Sequence, residues 1–243
     1  MNKLKAISIL FLILALGCNS PDALDCFQTA GEKKVSKLNG IPEFERLVIF
    51  DDINLEIVND DTVYFELDYY ENLMPEVEFE IDNNSLVFTN KNSCNFVRSF
   101  KSPTLIYHTN KASDFITSRS AGKIFNRDTL RNNISVTTED VSNEVALLVN
   151  NQQTIFSSNS STNFKAMGST ENLRLFSYFN DSQYNCEDLK ARRVQFLQRG
   201  YNDFLVNVQD SLVGSIENSG RVIYKGNPGV KVSIDGDGQL IRL

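Results

Sequence analysis

Between Ile116 and Gly236 the apolar positions recur every twenty residues: Ile116, Val136, Phe156, Phe176, Phe196 and Ile216 share one register. Four residues after each comes a small or turn-forming residue, at Ser120, Asp140, Ser160, Asn180, Gly200 and Gly220. Four further on the chain is apolar again at Ile124, Phe164, Tyr184, Phe204 and Tyr224. Glu144 alone breaks that register, beside Val145. A shortened copy, Val232, Gly236 and Leu240, closes the series. A fixed period of this length predicts stacked units, each burying its apolar face only against the next.

Upstream the period is two. Leu47 and Ile49 alternate with polar residues, as do Ile53, Leu55 and Ile57, then Val63, Phe65 and Leu67. Val77, Phe79 and Ile81 follow a turn at Tyr70–Pro75, and Leu86 with Phe88 follows the cluster Asp82-Asn83-Asn84-Ser85. Alternation bounded by Asn and Asp turns predicts strands. One short stretch, Cys186–Ala191, carries a weak helical pattern. The chain is therefore expected to be all-β.

Twenty residues per unit suits a leucine-rich repeat or a β-helix, and the spaced leucines and asparagine of the former are absent. The expected fold is a right-handed parallel β-helix, a solenoid with coils of about 20 residues. Phe156, Phe176 and Phe196 would then stack inside, and Gly200 and Gly220 would serve a corner by adopting positive φ. The alternative is an antiparallel sandwich in which the period is fortuitous.

Residues 1–17 read as a lipoprotein signal peptide. Lys3 and Lys5 precede the apolar run Ile7–Leu16, which falls short of the ~20 residues of a membrane span. Leu14-Ala15-Leu16-Gly17-Cys18 resembles a bacterial lipobox, so Cys18 is expected to become the lipid-modified N-terminus and tie the protein to a membrane. Residues 18–42 then form a polar tether, and 43–243 one continuous body. Loss of the leader leaves 22 basic against 31 acidic residues, a net charge of −9 that repels nucleic acid. Outside the inner membrane cysteines pair. The expected bridge is Cys26–Cys94, with Cys186 free.

Gly220-Arg-Val-Ile-Tyr-Lys-Gly-Asn-Pro-Gly229, with Asp235-Gly-Asp-Gly238 beyond it, resembles the C-terminal signature of the head GIN domain family of auto-transporter adhesins. Phe44-Glu-Arg-Leu, Ile53-Asn-Leu-Glu-Ile57 and Glu71-Asn-Leu-Met-Pro75 look like that family's opening. The family carries a Ser-Gly-x-Gly type turn in each coil, where this chain has Ser120, Asp140, Ser160 and Asn180. The resemblance implies a secreted or lipid-anchored β-helical protein with a surface role and no named ligand.

Candidate chemistry is sparse. His108 is the only histidine, which leaves a Ser/His/Asp set without a Gly-x-Ser-x-Gly elbow and no histidine metal site. Asp235 and Asp237 could contribute to a calcium loop, yet 6–8 oxygens are needed, and a terminal turn accounts for them. Asp140, Glu144, Asp181, Glu187, Asp188 and Asp203 fall on different repeat positions, so no glycosidase pair is evident. Lys190, Arg192, Arg193 and Arg199 form a basic cluster suited to a sugar acid, a lipid headgroup or plain solvation. Tyr69, Tyr70, Tyr178, Tyr184 and Tyr201 could stack on glycans. Asp61-Thr-Val63, Asp128-Thr-Leu130 and Asp210-Ser-Leu212 resemble bacterial O-glycosylation acceptors, expected on exposed turns. The expectation is a non-catalytic, cofactor-free protein of the bacterial envelope. Cys18 would anchor it, at the outer membrane, and it would bind a glycan or a protein. The alternatives are a carbohydrate-active β-helix enzyme and a periplasmic structural or assembly factor.

Overall fold

A computed structural model of the chain describes residues 29–92, 101–178 and 181–243. Cys18, Cys26, Cys94 and Asn180 lie outside the described residues, as do the leader and the first part of the tether. What is described is almost wholly strand, arranged as a parallel β-solenoid.

The stacking order departs from chain order at the start. β2 (Arg46–Asp51) and β3 (Asn54–Asn59) form the second coil. The first is made of β6 (Ser85–Asn90) and β7 (Thr104–Thr109), and the third of β8 (Ser113–Ser120) and β9 (Ile124–Asn126). β2 thus lies parallel between β6 and β8, and β3 between β7 and β9. The intervening chain makes the cap. β4 (Tyr64–Tyr70) runs antiparallel to β7, β5 (Val77–Asp82) antiparallel to β6, and β1 (Lys33–Lys37) antiparallel to β4. Phe65 stacks on Tyr107 at 4.7 Å, and Phe44 closes over both at 5.7 and 6.0 Å.

From β10 (Asn133–Thr138) onward the coils follow the chain. β11 (Glu144–Ser158), β12 (Asn163–Ser177), β13 (Gln183–Gln198) and β14 (Phe204–Ile216) each run round a bend, ending one coil and beginning the next. β15 (Val222–Lys225), β16 (Gly229–Ile234) and β17 (Leu240–Arg242) finish the stack. The helical reading of Cys186–Ala191 is overturned. This stretch lies in β13, which carries a register shift between Cys186 and Lys190, and an irregular strand loses the period-two signature.

Two apolar ladders fill the interior. One descends Leu86, Leu47, Ile116, Val136, Phe156, Leu175 and Phe196. The other descends Leu55, Ile124, Val145, Phe164, Tyr184, Phe204 and Val222. Both differ from strict twenties. Phe156 pairs with Leu175, nineteen residues on, and Leu175 with Phe196, twenty-one on, after a shift between Lys165 and Met167. Phe176 is therefore displaced from the expected aromatic stack and sits half-buried, while Leu175 is fully buried. Val222, not Tyr224, continues the second ladder. The aromatic stack that forms is Phe156, Phe164, Tyr184 and Phe204, with centroid spacings of 4.9, 4.7 and 4.3 Å.

One interior corner is polar. Ser118, Thr138, Ser158 and Ser177 stack there fully buried. Thr138 Oγ1 donates to Ser158 Oγ (2.9 Å), which lies 2.7 Å from Ser182 Oγ, and Ser182 Oγ donates to Ser160 O (2.7 Å). Asn143 Nδ2 ties in Ser120 O at 3.0 Å. Buried hydroxyls are tolerable only when so partnered. The glycine corner is explained differently than expected. Asp140 has positive φ (56°), but Gly200 and Gly220 are not among the positive-φ glycines. A Cβ on Gly220 would lie 2.6 Å from Asn202 O, so this corner needs space rather than a left-handed backbone.

Candidate functional site

The bend midway along the long strands brings polar residues of successive coils into one row. Asn150 pairs with Ser169 and Ser169 with Lys190, while Asn151 pairs with Thr170 and Thr170 with Ala191. Asn150, Gln152 and Ser169 lie on the outer side of the bend, whereas Asn151 and Thr170 are buried on its inner side at 7% and 4% exposure, and alternation lapses after them, at Gln152-Gln153 and Glu171-Asn172. Thr170 Oγ1 donates to Asn151 Oδ1 at 2.7 Å, and Asn151 Nδ2 to Asn132 O at 3.0 Å. Ser169 Oγ donates to Asn150 Oδ1 at 3.0 Å. A groove of about 320 Å³ runs along the row, bounded also by Arg131, Gln152, Glu171, Arg192 and Gln209. Arg192 lies between Asp210 (2.5 Å) and Glu171 (3.3 Å). Arg131 and Lys190 make no side-chain ion pair among the described residues. The groove thus offers amide and hydroxyl partners with two uncommitted cations, which suits a polar ligand carrying negative charge.

The basic cluster read from the sequence is split by the fold. Lys190 and Arg192 reach this groove, whereas Arg193 turns to Asn172 (2.8 Å) and Arg199 pairs with Glu217 (2.6 Å). Among the tyrosines, Tyr69 and Tyr184 are core residues, while Tyr178 and Tyr201 are 40% and 54% exposed. Three of the scattered acids face cations. Glu144 meets Lys123 and Lys165 at 3.0 and 3.1 Å, Asp203 meets Arg221 (2.5 Å), and Glu187 meets Lys225 (2.8 Å). The arginine and lysine partners hold the Asp203 and Glu144 carboxyls below their usual range. These pairs link coil to coil.

His108 lies in β7. Its ring stacks on Tyr64 at 3.9 Å, with Nδ1 3.0 Å from Asp60 and Nε2 3.3 Å from Glu66. The Tyr64 hydroxyl, donating to Asp60, keeps that carboxyl low. Both imidazole nitrogens are thus taken by carboxylates, and no serine is among their partners in the described residues. The Asp235–Gly238 turn stacks on the preceding coil, Asp235 N donating to Ile216 O (2.9 Å) and Gly238 N to Asn218 O (2.8 Å). Among the described residues no three His, Cys, Asp or Glu side chains converge as metal donors. Of the glycosylation-like motifs, Asp61-Thr-Val63 is exposed, but Ser211 lies half-buried within β14.

A second concave region sits at the capped end, where two cavities of about 590 and 400 Å³ share Phe44 and Lys111. Lys111 Nζ donates to Phe44 O (2.8 Å) and lies 3.4 Å from the Phe44 ring centre. Burial pulls its ammonium below the usual lysine value. One cavity has apolar walls at Ile41, Pro42 and Val63; the other carries Arg46, Asn83 and Asn84. Beneath lies Asp114, 3% exposed, which accepts from Tyr107 Oη (2.6 Å), Thr109 and Asn132. Burial raises the Asp114 carboxyl. Neither region follows from a motif. The polar runs Asn150-Asn151-Gln152-Gln153 and Ser169-Thr170-Glu171-Asn172 were the available signal, interrupting alternation about nineteen residues apart.

Comparison with known proteins gives one family. The model of "Putative auto-transporter adhesin, head GIN domain" matches residues 43–228. No curated protein matches the chain. Among solved structures, a putative adhesin from Bacteroides fragilis NCTC 9343 is 16% identical, with 87% of this chain and 97% of that one covered and a TM-score of 0.67. A putative lipid binding protein from Parabacteroides distasonis ATCC 8503 is 14% identical, covering 88% and 97%, with a TM-score of 0.56. A putative adhesin from Parabacteroides merdae ATCC 43184 is 15% identical over the same shares, with a TM-score of 0.52. At these identities the likeness is one of fold.

Proposed function

The chain belongs to the auto-transporter adhesin, head GIN domain, family, and on that premise we propose that it is a non-catalytic, adhesin-like binding protein of the bacterial envelope. The observation that carries this reading is the groove over the bend of β11–β13, where stacked amides and hydroxyls stand beside Arg131 and Lys190. Such a row presents repeated polar contacts along the solenoid axis, as an extended glycan or a polar protein segment would require. Glu144, Asp203 and Glu187 face cations on adjoining coils, which supports a binding role over hydrolysis. The lipobox ending at Cys18 supports a lipid anchor, at the outer membrane, and the residues between Cys18 and β1 would hold the solenoid away from the bilayer.

The test is a glycan and extracellular-matrix array probed with the chain from Asn19 onward. Specific, saturable binding to a polar or acidic ligand is expected, weakened at least about tenfold by Arg131→Glu with Lys190→Glu, in line with the loss of two charged contacts. Silence on both arrays would favour a periplasmic structural or assembly role. A second reading rests on the cleft at Phe44 and Lys111, whose apolar and cationic walls suit an amphipathic anion. It is the class of ligand implied by the name of the P. distasonis neighbour. A fluorescent fatty acid separates the readings: saturable binding lost in Lys111→Met would favour the cleft.

A further inference from the structure

The two ends of the solenoid are finished differently. At the first coil β4 and β5 fold over the core, and β1 and β5 are the outermost strands. The edge of β1 carries Lys33, Lys34 and Lys37, and that of β5 carries Glu78, Glu80 and Asp82. Charges on an edge strand hinder addition of another strand. At the last coil, among the described residues, β16 pairs only with β14, and β17 only with β15. The core-facing row continues into β16, with Val230 over Leu212, Val232 over Gly214 and Ile234 over Ile216. Leu212 and Ile216 are fully buried, whereas Val230 and Ile234 are 46% and 48% exposed. β16 has no acidic residue, and Lys231 is its one charge. A terminal repeat ordinarily carries a polar outer face; this one presents an apolar row beside an unpaired strand edge.

We infer that this last coil docks on the last coil of a second copy of the chain, tail to tail about a twofold axis at Val232. A twofold contact must be self-complementary, and β16 meets that condition. Run antiparallel to its own copy about Val232, it sets Val232 against Val232, Val230 against Ile234 and Lys231 against Ser233. The exposed apolar residues are covered in pairs, and no like charges face one another. Head-to-tail contact would bring the same apolar row against edges guarded by Lys33, Lys34 and Lys37 on β1 and by Glu78, Glu80 and Asp82 on β5, charges that hinder strand addition. Association therefore closes at two copies rather than extending into a fibre.

Sedimentation equilibrium of the chain purified without its leader tests this inference. A concentration-dependent monomer–dimer equilibrium is expected, with no larger species. Val232→Lys, which sets two ammonium groups face to face, weakens the dimer by at least about 100-fold. Ile234→Lys acts in the same direction, while Val35→Lys on the capped edge leaves the equilibrium unchanged. Circular dichroism confirms that each variant is folded. Val232→Cys under oxidation gives a covalent dimer joined at that position, as close antiparallel pairs allow. A strictly monomeric protein, a dimer indifferent to both lysine variants, or open-ended polymers would overturn the inference.

Discussion

The neighbours Leu175 and Phe176 separate the register seen in the structure from a strict twenty-residue repeat. In the structure Leu175 is fully buried between Phe156 and Phe196, and Phe176 is half-buried between Ser157 and Leu197. Leu175→Ala removes a side chain from a closed ladder position, and such truncations cost about 2–5 kcal/mol, including the cavity left behind. Phe176→Ala removes a ring already partly in water, for which roughly 1–1.5 kcal/mol is expected. For a body of this size each kcal/mol shifts the midpoint by about 2–4 °C. The expected shifts are thus about 6–12 °C for Leu175→Ala and about 2–6 °C for Phe176→Ala, with roughly 3 kcal/mol taken for the former. Thermal and urea unfolding followed by far-UV circular dichroism read both variants. A strict repeat puts Phe176 inside and reverses the order, with Phe→Ala costing about 3–5 kcal/mol. Phe176→Ala as damaging as Leu175→Ala would refute the offset register.

Three other perturbations have defined outcomes. Asp114 is buried and its carboxyl is raised, so the folded state holds that proton more tightly than the unfolded one. Its contribution is present in acid and lost as pH rises through the folded value. Asp114→Asn should therefore gain stability relative to the parent as pH rises above about 4, the unfolded carboxyl value; a pH-independent difference in urea midpoints would contradict this. Gly226 has φ of 108°, and an added Cβ would lie 1.9 Å from Val208 O. Gly226→Ala should lower stability by about 1–3 kcal/mol, whereas Gly40→Ala, with φ of 72° and open space around it, should cost about 1 kcal/mol; equal effects would count against the close approach. Burial pushes the Cys186 thiol up to about 12, so mass spectrometry should find it alkylated only in denaturant, and labelling in native buffer would place it nearer the surface.

The solenoid is legible in the sequence because burial of apolar side chains, which drives its folding, is periodic along the chain. Inward apolar residues at Ile116, Val136 and Phe156, and at Phe164, Tyr184 and Phe204, recur at the spacing of one coil. The details that escape the period are those where backbone geometry is not uniform. A coil one residue short places Leu175 where Phe176 was expected, and an extra residue in β13, opposite Lys165–Met167 of β12, restores the count. The shift within β13 disguises Cys186–Ala191 as a helical fragment. Non-sequential stacking of β2 and β3 between later strands leaves no local trace, because it depends on pairing over long separations. The binding groove is harder still to read. Asn150, Ser169 and Lys190 are ordinary polar residues in sequence and become a row only through coil-to-coil register.

The binding role is tested most directly by adhesion of intact bacteria to surfaces coated with the array ligand. Cells carrying the parent chain, cells lacking it, and cells carrying Arg131→Glu with Lys190→Glu are compared at equal surface amounts of protein. The account predicts adhesion by the parent alone, with the double variant falling to the level of cells that lack the chain. Equal adhesion by the parent and the double variant would contradict it.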